Sequence, residues 1–476
     1  MQFNSLLFLP FFGFVLLLHN LRLSWSVRKA NLLWLSYVFY AAWNPPFVLL
    51  LWLSTLADWY IGKALHLAEG KLRRRLLLLA SLAVNLGMLS YFKYGAFLLD
   101  NFSALVGAAG IDWQPAALDI VLPVGISFYT FQTLSYTLDI FNRRGKPWNN
   151  FLDYALFVTF FPQLVAGPIV RARQFLPQCV EPAKVSANQF GWGLYLILIG
   201  LFEKVVLADG VLAPGVETIF DGLDRPGPLD GWIGCFGFLC QAFCDFSGYS
   251  LCAIGIAKCL GFDLPTNFRF PFAAVGFKAF WRRWHISLST WLRDYVYASL
   301  RGPYAERTAL RLGFNILVTW GLIGLWHGAA WRFLFWGLAS GVLLLVEEGL
   351  RARVPQNPFW TTLPAQFCIA FVTFAGTCLT MLIFRAPNMS RLGALSSAMF
   401  AGWGSKQATM LDRTGAVLTF GTAIVFFLGH WVMRHSTLER LADRCPWPLK
   451  STAIVAMVVL IILAKSEDRA FVYFQF

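Results

Sequence analysis

Charge is what this chain is short of: Asp, Glu, Lys and Arg make up 13% of its 476 residues, about half the share of a soluble domain. So little polar surface cannot clothe a water-facing globule, which excludes an ordinary cytosolic enzyme, a disordered chain and a secreted disulfide scaffold. The nine cysteines are an odd number, and five of them (Cys235, Cys240, Cys244, Cys252 and Cys259) share one apolar stretch. No Cys-x-x-Cys pair with a nearby histidine suggests zinc, so these thiols read as buried small hydrophobes and no metal is expected. There is no G-x-S-x-G elbow around Ser127 (GISFY) or Ser247 (DFSGY), no complete phosphate-binding G-x-x-x-x-G-K-[ST] loop and no H-E-x-x-H helix. Serine hydrolase, P-loop ATPase and zinc protease readings therefore lose their main support.

What the chain does have is apolar length: 58% of it is hydrophobic and 17% aromatic, with a mean hydropathy of +0.59. A spanning helix needs about 20 mostly apolar residues, and windows of that kind recur near 5–21, 31–55, 76–99, 118–141, 151–169, 188–212, 232–257, 312–346, 363–384, 415–433 and 451–465. The expectation is an all-α polytopic membrane protein with about eleven transmembrane helices, several windows being long enough to hide a break. The first window lacks a basic start and an A-x-A-like cleavage site, so it reads as a retained anchor. No repeat of 20 to 50 residues and no long linker divides the chain, which predicts one integral membrane domain over 1–476.

Lys and Arg number 39 against 25 Asp and Glu, a formal net charge of +14. The excess gathers between windows, at Lys63 with Lys71, Arg73, Arg74 and Arg75, at Arg143, Arg144 and Lys146, and at Lys278, Arg282 and Arg283. That distribution is the mark of cytoplasmic loops beside membrane lipid, not a nucleic-acid footprint. The stretch 214–231 is the acidic, Gly/Pro-rich exception and reads as a loop on the opposite side.

Residues 260–311 depart from the membrane pattern, because basic residues arrive every few positions. If 277–292 is one helix, Phe277, Phe280, Trp281, Trp284, Leu288, Trp291 and Leu292 form a continuous aromatic stripe. Lys278, Arg282, His285 and Ser289 then share a flank within about 60° of one another. The pattern predicts an amphipathic helix at the cytoplasmic interface or re-entering the bilayer.

Six histidines are present. His19, His66, His430 and His435 fall at window ends or in charged loops, where an imidazole has water and needs no special role. The other two each follow a tryptophan, at Trp284-His285 and at Trp326-His327 inside the window 312–346. His327 stands in GLIGLWHGAAWRFLFWGLASG, and an ionisable ring in such a segment is costly and a default candidate for function. Gly324 and Gly328, and Gly337 and Gly341, are G-x-x-x-G pairs that let this segment press against a neighbour. The competing reading of His327 is a histidine that only hydrogen-bonds across helices. As a catalyst, a desolvated neutral imidazole suits acyl transfer, because it can take a proton from an attacking hydroxyl. Lys278, Arg282 and Arg283 suit an anionic co-substrate such as coenzyme A at a cytoplasmic entrance, and equally suit snorkelling to lipid headgroups.

The segment NFRFPFAAVGFKAFWRRWHISLSTWLRDYVYASLR at 267–301, followed by GLWHGAAWRFLFWG at 324–337, resembles the signature of the membrane-bound O-acyltransferase (MBOAT) family, in its bacterial alginate O-acetylase branch. Further matching segments are YFKYGAFLLDNF (91–102), LPVGISFYTFQTLSYTLDIF (122–141), FFPQLVAGPIVR (160–171), KVVLAD (204–209), CDFSGYS (244–250) and FVYFQF (471–476). One departure is that Leu251 follows Ser250 where the family pattern continues with an aspartate.

The resemblance implies the MBOAT fold with its core signature in 267–341, His327 as the catalytic histidine and His285 as the second histidine of the active-site region. It also implies a bacterial inner-membrane protein that passes acetyl groups from cytoplasmic acetyl-CoA across the membrane for O-acetylation of an exopolysaccharide such as alginate or bacterial cellulose, with periplasmic SGNH-type acetyltransferase partners. His327 would serve either as general base on the acceptor hydroxyl or as carrier of the acetyl group. The alternatives are a D-alanyl, lipid or protein acyltransferase of the same family, a polytopic transporter, or a scaffold for a polysaccharide synthase. Against a transporter stand the absence of an evident inverted repeat and the sparse charge within the windows.

Overall fold

A computed structural model describes residues 1–113, 115–116, 118–182, 184–302, 308–354, 357–401, 408–464, 469 and 471. Helices dominate, and no strand occurs among the described residues. Among the described residues, seven helices are long and apolar enough to cross a membrane: Pro45–Leu67, Lys71–Ala108, Asp230–Cys259, Ala309–His327, Trp331–Arg353, Leu363–Arg385 and Arg413–Met433. Phe8–Asn20 and Trp447–Leu463 are shorter apolar helices. This is an all-α, multi-pass membrane protein.

Several apolar windows turn out to be divided. Pro45 and Pro46 split 31–55 into Trp25–Ala41 and Val48–Leu67, as residues that cannot donate to a helix interior must. The window 151–169 holds a helix of only Phe151–Thr159 and one further turn at Phe161–Leu164, every residue of it buried apart from the half-buried Phe151 and Leu152. The 312–346 window breaks at 328–330, between Ala309–His327 and Trp331–Arg353. The 188–212 window runs as an α-helix Ala187–Leu201 and continues in π-helical form over Phe202–Leu212.

The chain divides into two compact units: Met1–Ile197 with Cys252–Pro265, and Leu198–Leu251 with Thr266–Phe476. In the first, the helices Val48–Leu67, Lys71–Ala108 and Ile126–Phe141 are tied by a buried polar network. Asn85 donates to Asp58 at 2.8 Å and accepts from Ser54 at 2.7 Å and Thr133 at 3.0 Å, while Ser81 donates to the same aspartate. Lys29 pairs with Asp153 and donates to the Cys179 carbonyl. Buried charge is thus less sparse than the apolar windows suggest, because each group has found partners that the sequence does not display.

In the second unit, Asp230–Cys259 contributes its first two-thirds as an aromatic-rich spine. The stretch 214–231 is not a loop throughout as expected, since Ala213–Asp221 is a helix with Pro214 in its first turn and Val216, Ile219 and Phe220 buried, and the loop is confined to 222–229. Ala309–His327 and Trp331–Arg353 form a tight hairpin. A Cβ on Gly324 would lie 2.1 Å from the Phe333 carbonyl oxygen, and one on Gly337 2.2 Å from the Trp320 oxygen. The two G-x-x-x-G pairs are therefore the seam that brings these backbones together. All five cysteines of the 235–259 stretch are buried free thiols, as expected.

Candidate active site

The site is set by two breaks in otherwise helical chain. His327 is the last residue of Ala309–His327, where extended backbone at Gly328 ends the helix. Its imidazole is buried against Trp326, Trp336 and Phe384, with ring centroids 5.0, 5.0 and 5.5 Å away. It therefore sits at the turn of the hairpin rather than in the middle of one long span. Trp336 and Phe384 approach the imidazole nearly edge to face, the geometry aromatic rings favour.

His285 does not belong to a continuous helix 277–292. The structure has a short helix Phe277–Trp281, a reversal, and a second helix Ile286–Leu292. His285 stands between them in the left-handed region, with φ 43°, a conformation that costs about 1–3 kcal/mol for a residue with a side chain. Tertiary hydrogen bonds offset that cost. The Arg269 N–H donates to the Arg283 carbonyl at 3.0 Å, and the Ile286 N–H to the Asn267 carbonyl at 2.9 Å. The Asn267 side chain accepts from both the N–H and the hydroxyl of Ser287, and donates to Ser250 at 3.1 Å. Local periodicity favoured one helix, but main-chain pairing with 267–269 wins.

The consequence is that the expected basic flank dissolves. His285 is buried, with its ring 4.5 Å from that of Phe246 and 5.8 Å from that of Trp326. Lys278 and Arg282 are exposed, and the Lys278 ammonium lies 3.8 Å from Glu348. Arg283 alone of the three basic candidates turns inward, half-buried near Arg269 and Arg434. The two candidate histidines do come together: Trp326 touches both rings. His285 lies outside the seven candidate spans, and burial lowers its pKa to about 3, so it is a neutral imidazole.

Gly276 has φ 103°, and a Cβ there would meet Glu347 at 2.6 Å. The glycine lets the loop after the 266–275 segment pass close to the hairpin helix Trp331–Arg353, where the Lys278 N–H donates to Glu347 at 2.9 Å. Glu347 is fifteen residues beyond Arg332, which puts this end of the helix about 22 Å from the turn that holds His327. Lys278 thus belongs to one end of the hairpin and His327 to the other.

Three further groups were not singled out from the sequence. His430, expected in water, is buried; its ring packs on Phe243, Phe270 and Phe272, and its Nδ1 accepts the Phe272 N–H at 3.3 Å. Its position at a window end concealed this, because only folding brings 270–272 onto the end of Arg413–Met433. Lys204 donates to Asp245 at 2.6 Å and to Asp209 at 2.9 Å, joining two segments already noted in the family resemblance. Asn267 gave no signal beyond its place at the head of the 267–301 segment. Phe471 packs on Phe246 and Tyr249, and the rest of FVYFQF, 472–476, lies outside the described residues.

A multi-pass helical protein with two buried histidines joined through a tryptophan, one at a helix end closed by a glycine hairpin, has the makings of a membrane-embedded transferase. Comparison with known proteins gives the particular family. The pattern of MBOAT, the membrane-bound O-acyltransferase family, matches residues 4–385, and the chain belongs to that family. It is 37% identical to the "Probable alginate O-acetylase AlgI" of Azotobacter vinelandii, over 88% of this chain and 81% of the relative. It is 31% identical to the peptidoglycan O-acetyltransferase of Helicobacter pylori, over 93% and 91%. It is 27% identical to the teichoic acid D-alanyltransferase of Bacillus subtilis, over 55% of this chain and 68% of the relative. The protein is an O-acyltransferase.

Proposed function

We propose that this protein takes acetyl groups from acetyl-CoA on the cytoplasmic side of a bacterial inner membrane and delivers them for O-acetylation of an exported polysaccharide of the alginate kind. The acetyl group is favoured because the relatives that match over most of this chain, 88% and 93% of it, are named as an acetylase and an acetyltransferase, whereas the D-alanyltransferase matches over 55% of it. The observation that carries the chemistry is the position of His327, at a helix end, buried among rings and linked through Trp326 to His285.

In this reading the His327 imidazole takes the proton of the acceptor hydroxyl as the oxygen attacks the thioester carbon. The new C–O ester bond forms, the C–S bond breaks, and the leaving thiolate receives the proton from the imidazolium. Trp326, Trp336 and Phe384 leave little room for water beside the ring, which limits loss of the thioester to hydrolysis. His285 acts beside it as a neutral partner, and periplasmic SGNH-type proteins complete transfer to the polymer.

The test is the acetyl-ester content of the secreted polysaccharide in cells carrying the wild-type chain or His327→Ala at equal membrane abundance. The reading expects the esters to vanish while polymer yield holds. Unchanged acetylation removes His327 from the chemistry, and loss of the polymer itself turns the case toward export or scaffolding.

A further inference from the structure

Three arginines of the second unit gather where no carboxylate answers them. Main-chain pairing sets Arg269, itself exposed, beside the half-buried Arg283, through the 3.0 Å bond from the Arg269 N–H to the Arg283 carbonyl. Arg434 arrives from the end of Arg413–Met433, one turn beyond His430, whose ring is held by Phe270 and Phe272 of the same loop. Its orientation is defined, since Nη1 donates to the Trp431 carbonyl at 2.7 Å and the guanidinium lies 4.1 Å from the centre of the Trp431 ring. Nη1 of Arg283 and Nε of Arg434 are buried with no hydrogen-bond partner among the described residues. None of the three side chains pairs with a carboxylate among the described residues. Burial first, then the charges of Arg269 and Arg434, pull the Arg283 pKa below its usual value, so the groups are close enough to repel.

Buried, unanswered guanidinium donors are costly, and like charges packed together add to the cost. An anion with several oxygens relieves both, and the planar fork of arginine matches phosphate oxygens in pairs. The geometry points to Arg269, Arg283 and Arg434 as a binding site for a phosphate-bearing ligand, filled by the phosphates of the acyl donor. This rests on the acetyl-CoA reading above and deepens it. Two residues after Arg283 comes His285, whose ring meets Trp326, which in turn meets His327. A donor gripped by its phosphates at the arginines therefore has a line of buried rings to follow toward His327. Lys278, whose ammonium lies 3.8 Å from Glu348 on the hairpin, stands apart from this grip.

Binding of coenzyme A is measured by calorimetry on the full chain in nanodiscs of phosphatidylcholine, for wild type, Arg269→Gln, Arg283→Gln, Arg434→Gln and Lys278→Gln. Each arginine variant is expected to bind about tenfold more weakly, the loss of one charge-assisted contact, while Lys278→Gln binds as wild type does. Equal affinity in all five, or an equal loss in Lys278→Gln, overturns the site. A second arm repeats the series in phosphatidylglycerol nanodiscs. If a headgroup phosphate occupies the arginines, anionic lipid competes with coenzyme A in wild type and not in Arg283→Gln, and the donor assignment falls. Without such competition the donor assignment stands. Failure of the acetyl-transfer reading shows differently: coenzyme A binding would still depend on the arginines while His327→Ala left polymer acetylation unchanged.

Discussion

The hairpin seam offers a sharp test of how the fold positions His327. Replacing Gly324 by Ala places a methyl 2.1 Å from the Phe333 carbonyl oxygen, 2.9 Å from its carbon and 3.2 Å from the Gly337 Cα. All three are backbone atoms and cannot rotate away, so the two helices must separate by about 1 Å to reach ordinary contact. His327 is three residues further on, less than one turn away, and moves with that helix. Overpacking of this sort costs about 1–3 kcal/mol in stability, and a displacement of about 1 Å at a reacting group costs about a hundredfold in rate. Gly313→Ala and Gly349→Ala are internal controls on the same two helices. The first meets a neighbour only at 4.0 Å and the second meets none within that distance, and both gain helix propensity by about 1 kcal/mol. Initial rates of acyl transfer in isolated membranes, normalised to protein by immunoblot, should fall about a hundredfold for Gly324→Ala and stay at the wild-type level for both controls. A wild-type rate in Gly324→Ala, or an equal fall in Gly313→Ala, would refute the view that the seam sets the position of the histidine.

Other expectations follow from the same contacts. Asn267→Ala removes the side-chain acceptor of two Ser287 hydrogen bonds, each worth about 1 kcal/mol; thermal melting in detergent should drop and transfer should slow, and an unchanged melt would mean that Asn267 does not hold the reversal at His285. His430→Phe keeps the ring packing and removes the acceptor of the Phe272 N–H; a lowered melting temperature is expected with the seven spanning helices still inserted, as read by protease accessibility of the loops. Lys204→Met removes the cation that binds the buried Asp245 and the half-buried Asp209, which should cost about 3–5 kcal/mol. Adding Asp245→Asn to that variant should recover part of the loss in the same melt, and no recovery would show that the pair is not coupled.

The apolar windows, the scarcity of charge and the paired glycines were legible in the residues themselves, because spans and close helix contacts are written in local composition. His327 and His285 were candidates in the same way, since a histidine in a Trp-rich apolar run stands out against its neighbours. The helix breaks at Pro45-Pro46 and Gly328 were not placed from the sequence, which read 31–55 and 312–346 as single apolar windows. Nor was the reversal at His285: the 277–292 stripe satisfies helical spacing throughout, and the competing hydrogen bonds come from Asn267 and Arg269, which periodicity does not weigh. The burial of His430 was hidden in the same way, its Phe270 and Phe272 neighbours lying more than 150 positions away in the chain.

From the sequence alone come the class of protein, its helical membrane character and the two histidines, all properties of residue type and short-range spacing. Only the tertiary structure decided that Trp326 joins those histidines, that Lys278 and Arg282 face outward while Arg283 turns in toward Arg269 and Arg434, and that Lys204 finds Asp245. Side-chain direction in a broken segment depends on which distant backbone groups satisfy its N–H and carbonyl groups, and that accounting closes only when the whole unit has folded.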